Sequence, residues 1–139
     1  MIAQLLVALA LAVAAVAVAA VLRRRRRTDG PSQGPAWTAP GQLDRADFPR
    51  PEAEWLVAVF TSATCSSCGL MVDKAQALAS AAVAVAEVEA TAQADLHQRY
   101  RIEAVPITVV ADRAGVVQAS FIGPATATDL WAAVAQARN

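Results

Sequence analysis

Two cysteines three residues apart, at the end of an apolar segment, constrain the fold of this 139-residue chain more than any other feature. They are its only cysteines and stand in the sequence Cys65-Ser66-Ser67-Cys68. An apolar run of strand length and a short polar turn precede them, and a helix is predicted to begin near Ser66. Side chains three residues apart share a helix face, and a helix N-terminus favours a thiolate. The pair is therefore predicted to cycle between dithiol and disulfide.

Other interpretations of the cysteine pair fit the chain less well. A structural zinc site needs four ligands, whereas the chain offers two sulfurs and a single histidine, His97, which we expect at the surface. Covalent haem attachment needs a histidine directly after the second cysteine, where Gly69 stands. A structural disulfide across so short a loop removes little unfolded-state entropy. Redox exchange is the preferred interpretation, and no metal is expected.

The N-terminal segment 1–22 is apolar apart from Gln4 and has about the length that a membrane-spanning helix requires. Five arginines follow directly, at 23–27. A secretory signal peptide carries its positive charges before the apolar core, so the reversed order favours an uncleaved anchor. Because positively charged flanks stay in the cytoplasm, we predict a single-pass helix in the cell membrane, with the soluble domain on the cytoplasmic side.

Charge argues against nucleic acid as a partner. The formal net charge of zero hides an uneven distribution, since residues 50–139 carry six basic and nine acidic side chains. The five arginines fit a nucleic-acid arm or a lipid-headgroup patch in isolation, but their position against an apolar helix favours the topological role. The predicted non-protein partner is therefore the lipid bilayer, contacted through residues 1–22. In the reducing cytoplasm a pair of this spacing is more often catalytic, redox-sensing or metal-binding than a static crosslink.

The rest of the chain divides into a linker and one folded domain. Residues 23–42 are basic and rich in proline and glycine, which predicts an extended linker. The domain is predicted over residues 43–139. Hydrophobic periodicity predicts an edge strand at 43–48, further strands at 56–60, 83–88, 107–111 and 116–122, and helices at 66–81, 92–101 and from Thr126 or Thr128 to 138. This order belongs to the α/β class and indicates a mixed sheet with helices on both faces.

Residues 43–139 resemble the thioredoxin-fold family. The resemblance rests on the strand 56–60, the cysteine turn that enters a helix, Val105-Pro106 before a later strand, and a hairpin followed by Gly123 and a closing helix. It implies a thioredoxin-like mixed β-sheet flanked by helices, here preceded by one N-terminal transmembrane helix. It also implies that Cys65 attacks a substrate disulfide and that Cys68 resolves the mixed disulfide.

The resemblance further implies a substrate-binding surface around the cysteines. In the thioredoxin-fold family, the peptide bond before the proline opposite the active site is cis. The Val105-Pro106 bond is therefore expected to be cis, although only a small fraction of X-Pro bonds adopt that form. That bond exposes the Val105 backbone to a bound peptide and keeps metal from the thiols. Apart from the family, Pro106 is explained as a strand-start residue with no ladder donor to lose. The residues expected at this surface are Thr64, Ser66, Ser67, Val105 and Pro106.

Several positions depart from the thioredoxin pattern. Thr64 stands where the family has tryptophan, and Ser66-Ser67 where it has Gly-Pro. Val59 occupies the position of a buried aspartate and cannot relay a proton. Glu87 replaces the lysine that usually pairs with that aspartate. Glu87 is either a proton acceptor for Cys68 or, together with Glu89, part of a solvated strand end, since charged side chains are mostly exposed.

Two functions remain open on these grounds. The leading hypothesis is a membrane-tethered thiol–disulfide oxidoreductase that acts on protein disulfides or dithiols. No phosphate loop or dinucleotide fingerprint is present, so no cofactor is expected, and electrons are expected to come from another protein. The alternative is a non-catalytic thioredoxin-fold interaction module at the membrane. Val59 and the missing tryptophan favour the module, and the intact cysteine pair opposes it.

Overall fold

The structure, a computed structural model, describes residues 1, 4, 13–18 and 37–139. Residues 13–18 are helical. The predicted membrane span at 1–22 and linker at 23–42 lie largely outside the described residues. Within the described part of the chain, no helix combines the length and the apolar character needed to cross a bilayer. Trp37–Asn139 forms a compact unit of its own.

A four-stranded mixed sheet organises residues 37–139, in the strand order β2-β1-β3-β4. β1 and β2 run parallel, while β3 is antiparallel to both β1 and β4. The predicted mixed sheet with flanking helices is thus confirmed. The elements are β1 (Trp55–Thr61), α1 (Cys68–Gln76), β2 (Val83–Glu89), α2 (Ala94–Arg99), β3 (Ile107–Asp112), β4 (Val117–Ile122) and α3 (Ala127–Ala137).

The central strand β1 is buried on both faces, as its continuous apolar sequence predicts. Alternate side chains, among them Val57 and Val59, pack under α1 and α3 with Met71 and Leu130. The intervening side chains face α2 and the segment before β1. That second core contains Leu43, Phe48, Leu56, Ala58, Phe60, Val88, Leu96, Ile107 and Val109. The sheet therefore holds the end of β1 rigidly from both sides.

The edge strand predicted at 43–48 is wrong. An isolated bridge between Gln42 and Val116 precedes the segment, which then forms a 3-10 turn over Arg45–Asp47. Arg45 is 7% exposed, and its guanidinium donates to the carbonyls of Ala53, Asp112 and Arg50. This buried arginine ties its segment to the residues before β1 and to the end of β3 through side-chain bonds, which an alternating pattern does not reveal.

The first helix is shorter than the predicted 66–81. α1 begins at Cys68 and ends at Gln76, and the residues from Ala77 onward turn back toward β2. Ser80 closes that turn, because its amide donates to the Val83 carbonyl and its hydroxyl accepts from the Val83 amide, at 3.1 and 3.2 Å. The spacing of the alanines continues a helical pattern beyond Gln76, which is why the sequence predicts a longer helix.

Tyr100, the only tyrosine, ties α2 to the 3-10 turn. Its hydroxyl donates to Asp47 and accepts from the Asp44 amide at 3.0 Å. Burial, and next the bond to Asp47, raise the pKa of Tyr100 from 10.0 to about 12. The neutral phenol therefore stabilises the folded chain fully below pH 10, and this contribution is lost as pH rises from 10.0 to about 12.

We expect tyrosinate absorbance in the folded chain to titrate near pH 12 and, on unfolding, near 10.0. Asp47→Asn should lower the folded pKa by removing the charge but leave it above 10.0, because burial is the larger cause. Asp73→Asn, an exposed carboxylate elsewhere, serves as the control and should not move it. A folded titration at 10.0 would contradict the packing described for Tyr100.

Candidate active site

The cysteine pair lies in the connection between β1 and α1. β1 ends at Thr61, three loop residues follow, and Cys65 donates its amide to the Ser62 carbonyl at 3.0 Å. Cys65 and Cys68 are joined in a disulfide, with their α-carbons 5.5 Å apart. Cys65 is half-buried, whereas Cys68 is 3% exposed. A reagent can therefore reach the first sulfur more readily than the second.

The N-terminus of α1 supplies the local electrostatics. Ser67 is its N-cap residue, but its hydroxyl makes no capping bond to the helix backbone. That hydroxyl instead lies 3.8 Å from the Cys65 sulfur. A hydroxyl donor and the positive end of a nine-residue helix both stabilise a thiolate over a thiol. Ser67 therefore contacts Cys65, the cysteine that has to ionise before it can attack a disulfide.

A second loop leaves the sheet at the same end. Ile107, the first residue of β3, pairs with Phe60 at the end of β1, so the residues before β3 lie beside the cysteine loop. The Val105-Pro106 peptide is cis, as the family resemblance implied. The Pro106 carbonyl accepts from the Gly123 amide at 2.8 Å, and Val105 is half-buried. The register therefore brings the predicted substrate loop and the redox pair to one edge.

The other predicted contact residues lie in the cysteine loop itself. Thr64 and Ser66 are exposed, and Ser67 is half-buried. Thr64 packs into the turn through Ser62, whose hydroxyl lies 3.1 Å from the Thr64 hydroxyl. Exposed hydroxyls on both sides of Cys65 make this loop polar, where a tryptophan and a Gly-Pro would make it apolar.

Val59 lies between two polar residues of the neighbouring strands. Val59 is fully buried and pairs with Glu87 on β2 and Thr108 on β3. Glu87 is exposed and accepts the Thr61 hydroxyl at 2.9 Å. The Thr108 hydroxyl is buried and has no hydrogen-bond partner among the described residues. The role of Glu87 as proton acceptor for Cys68 stays a prediction.

Glu89 is a site residue that sequence reasoning missed. Its carboxylate accepts the amides of Thr91 at 2.9 Å and Ala92 at 2.8 Å, and also the Ala63 amide at 3.2 Å. The Ala92 bond is the first of the causes that lower the pKa of Glu89, so the carboxyl is ionised at neutral pH. The strand end that the sequence predicts to be solvated therefore carries a carboxylate bonded to the cysteine loop. No local sequence pattern signals the bond to Ala63.

His97 is not the surface residue that its polar neighbours predict. Its imidazole is half-buried, lies edge-on to Phe60 with ring centroids 5.6 Å apart, and places Nε2 2.8 Å from the Val88 carbonyl. Apolar packing against β1 and β2 explains this position. Over the described residues, no three side chains of the metal-binding types converge into a metal site.

A shallow cleft of about 590 Å³ lies at the other end of the sheet, and Asp44, Arg99, Tyr100 and Arg113 are among its lining residues. Arg113 follows the end of β3, which runs away from the cysteine loop. Arg99 is engaged with Asp44 and Asp47 in salt bridges. The cleft therefore adds nothing to the redox pair.

Comparisons with known proteins agree with this geometry. A family model described as Thioredoxin matches residues 47–136. No curated protein matches the chain. Among solved structures, the germline-specific thioredoxin Deadhead of Drosophila melanogaster is 24% identical with a TM-score of 0.54, and 62% of this chain and 83% of that chain are covered.

Two further structures give similar values. The thioredoxin of Fasciola hepatica is 24% identical with a TM-score of 0.52, and 60% of this chain and 81% of that chain are covered. Oxidised mitochondrial thioredoxin 3 of Saccharomyces cerevisiae is 22% identical with a TM-score of 0.52, over 62% and 81%. At these identities the likeness shows the fold alone, and the family assignment rests on the family model.

Proposed function

Because this chain belongs to the thioredoxin family, we propose that it is a membrane-tethered thiol–disulfide oxidoreductase that exchanges disulfides with protein partners. One observation carries the proposal. An intact cysteine pair stands at the N-terminus of α1, and its first residue, Cys65, is half-buried, whereas its second residue, Cys68, is 3% exposed. The difference in exposure supports attack on a partner by Cys65 and resolution by Cys68.

The chemistry follows from this assignment. In the dithiol form, the Cys65 thiolate attacks one sulfur of a partner disulfide, the partner's S–S bond breaks, and the departing sulfur takes up a proton. The Cys68 thiol then loses its proton and attacks the Cys65 sulfur, which releases the partner's second thiol. Two electrons and two protons have passed to the partner, and Cys65 and Cys68 share the disulfide seen here. The reverse sequence oxidises a partner dithiol.

Partner binding belongs to the surface around Cys65. Thr64 and Ser66 are exposed there, Ser67 is half-buried, and Val105-Pro106 leaves the same end of the sheet. An extended peptide that contains the target cysteine would lie across Thr64 and Ser66 and offer its backbone to Val105. The Ser67 hydroxyl would stabilise the Cys65 thiolate while that sulfur is free.

The membrane tether rests on the sequence. The apolar segment 1–22 and the arginines 23–27 support a single-pass anchor with the domain in the cytoplasm. Such a tether raises the effective concentration of membrane-bound partners. We expect the full chain to resist alkaline carbonate extraction from membranes and a chain beginning at residue 37 to be released. After reduction of the disulfide with a thiol reductant, an impermeant maleimide added outside intact cells should not label Cys65. Labelling of Cys65 would indicate the opposite orientation, and extraction of the full chain would contradict a membrane anchor at 1–22.

The fully buried Val59 favours the second candidate, a non-catalytic interaction module, because no ionisable group lies beneath Cys68 at that position. Replacing both cysteines by serine in the full chain separates the two functions. An oxidoreductase loses all disulfide exchange and its cellular role, whereas an interaction module keeps that role. Retention of the cellular role by the double variant would overturn the proposed enzyme.

A further inference from the structure

The cysteine loop and the turn after β2 leave the sheet side by side. β1 and β2 are parallel and in register up to Thr61 and Glu89, their last residues. The Thr61 carbonyl accepts the Ala90 amide at 2.9 Å, which fixes the start of the loop. Ala63 is the second residue after Thr61 in this loop, and Cys65 is the fourth.

Glu89 provides the next bond between these two segments. One carboxylate oxygen accepts the amides of Thr91 and Ala92, two and three residues along the chain, which is a local turn cap. The other oxygen accepts the Ala63 amide at 3.2 Å, which lies 26 residues away in sequence. Bonds from an amide to an ionised carboxylate are stronger than neutral ones. The Glu89 side chain therefore connects the turn after β2 to the cysteine loop through hydrogen bonds.

We infer that Glu89 is a positioning residue for the redox pair, since its bond to Ala63 holds the loop that presents Cys65 to Cys68. This inference rests on the proposed function. A loop held in one arrangement keeps the two sulfurs at bonding distance and so favours the disulfide over the dithiol. A more mobile loop lowers the effective concentration of the Cys65 thiol near the Cys68 thiol. The disulfide then becomes easier to reduce.

Glu89→Asp is the sharpest test, because it keeps the charge and shortens the side chain by one methylene. Aspartate still caps amides two and three residues ahead, but it does not reach Ala63. Glu89→Gln removes the charge, and its one carbonyl oxygen cannot serve both sides. Glu54→Gln, an exposed carboxylate at the start of β1, is the charge-matched control.

The measurement is a redox titration of the full chain in detergent against glutathione, with thermal unfolding followed in parallel. We expect Glu89→Asp and Glu89→Gln each to weaken the disulfide about tenfold, which is about 30 mV for two electrons, while Glu54→Gln titrates like the unsubstituted chain. Because Glu89→Asp keeps the local cap, its unfolding temperature should stay close to that of the unsubstituted chain.

Each outcome has one meaning. A shift in Glu89→Gln alone would assign the effect to charge and overturn positioning. A loss of thermal stability with an unchanged redox equilibrium would leave Glu89 a structural residue and overturn the inference, while the proposed function stands. If the unsubstituted chain itself shows no reversible transition, the proposed function fails and the positioning role falls with it.

Discussion

Cys65→Ser is expected to abolish disulfide exchange, with a fall of at least about a thousandfold in the rate constant, because a serine hydroxyl without an activating base is a poor nucleophile. Cys68→Ser should behave differently. It keeps the attacking sulfur but not the resolving one, so a mixed disulfide between Cys65 and the partner accumulates. Non-reducing electrophoresis and mass spectrometry of the full chain, incubated with a disulfide-containing protein, measure both results.

The two single variants control for each other, since each removes one sulfur and keeps the same loop. Their difference tests the unequal exposure of the cysteines, half-buried at Cys65 and 3% exposed at Cys68. Mixed disulfides that accumulate in Cys65→Ser and not in Cys68→Ser would reverse the two roles. Their absence from both would count against exchange chemistry.

Gly115→Ala is expected to cause the largest loss of stability among single small substitutions. Gly115 turns the chain between β3 and β4 with φ of +83°, where a side chain is strained. A Cβ there would also overlap the backbone carbonyl oxygen of Leu43, whose own amide donates to the Gly115 carbonyl at 2.8 Å. Backbone strain contributes about 1–2 kcal/mol and steric overlap about 1–3 kcal/mol, so Gly115→Ala should lower the free energy of unfolding by roughly 2–5 kcal/mol.

Gly123→Ala is the matched control for this prediction. Gly123 has the same left-handed conformation, with φ of +87°, but a Cβ there meets no atom within 4 Å. Gly123→Ala should therefore lower the free energy of unfolding only by the backbone strain, which is about 1–2 kcal/mol. Thermal and urea unfolding of both variants measure the difference. Equal losses would mean that the segment at Leu43 moves away freely and is not packed as described.

The sequence predicts the centre of the fold well because the apolar runs there are continuous. The continuous run 56–60 predicts a strand covered on both faces, and the structure buries all of β1. The cysteine turn follows from the local sequence, and the cis Val105-Pro106 bond follows from the family resemblance. These elements depend on local sequence or on a motif, and both are readable in one chain.

The edges of the fold depend on distant contacts and could not be predicted. Arg45 is buried because three backbone carbonyls from other segments receive its guanidinium. His97 is half-buried because Phe60 and the Val88 carbonyl lie against it. Glu89 joins the site through an amide 26 residues away. A periodic pattern carries no information on such pairs, so each was assigned to the surface or to a strand.

The most direct test of the central claim is the redox titration of the unsubstituted full chain in detergent. Cys65 and Cys68 are followed by alkylation in defined glutathione or dithiothreitol buffers. We predict one reversible two-electron transition within roughly −270 to −120 mV, the range of thiol–disulfide oxidoreductases. A midpoint near the lower end would indicate a reductase and one near the upper end an oxidant. Cysteines that resist reduction, reoxidation and alkylation would contradict the account and leave the interaction module as the function.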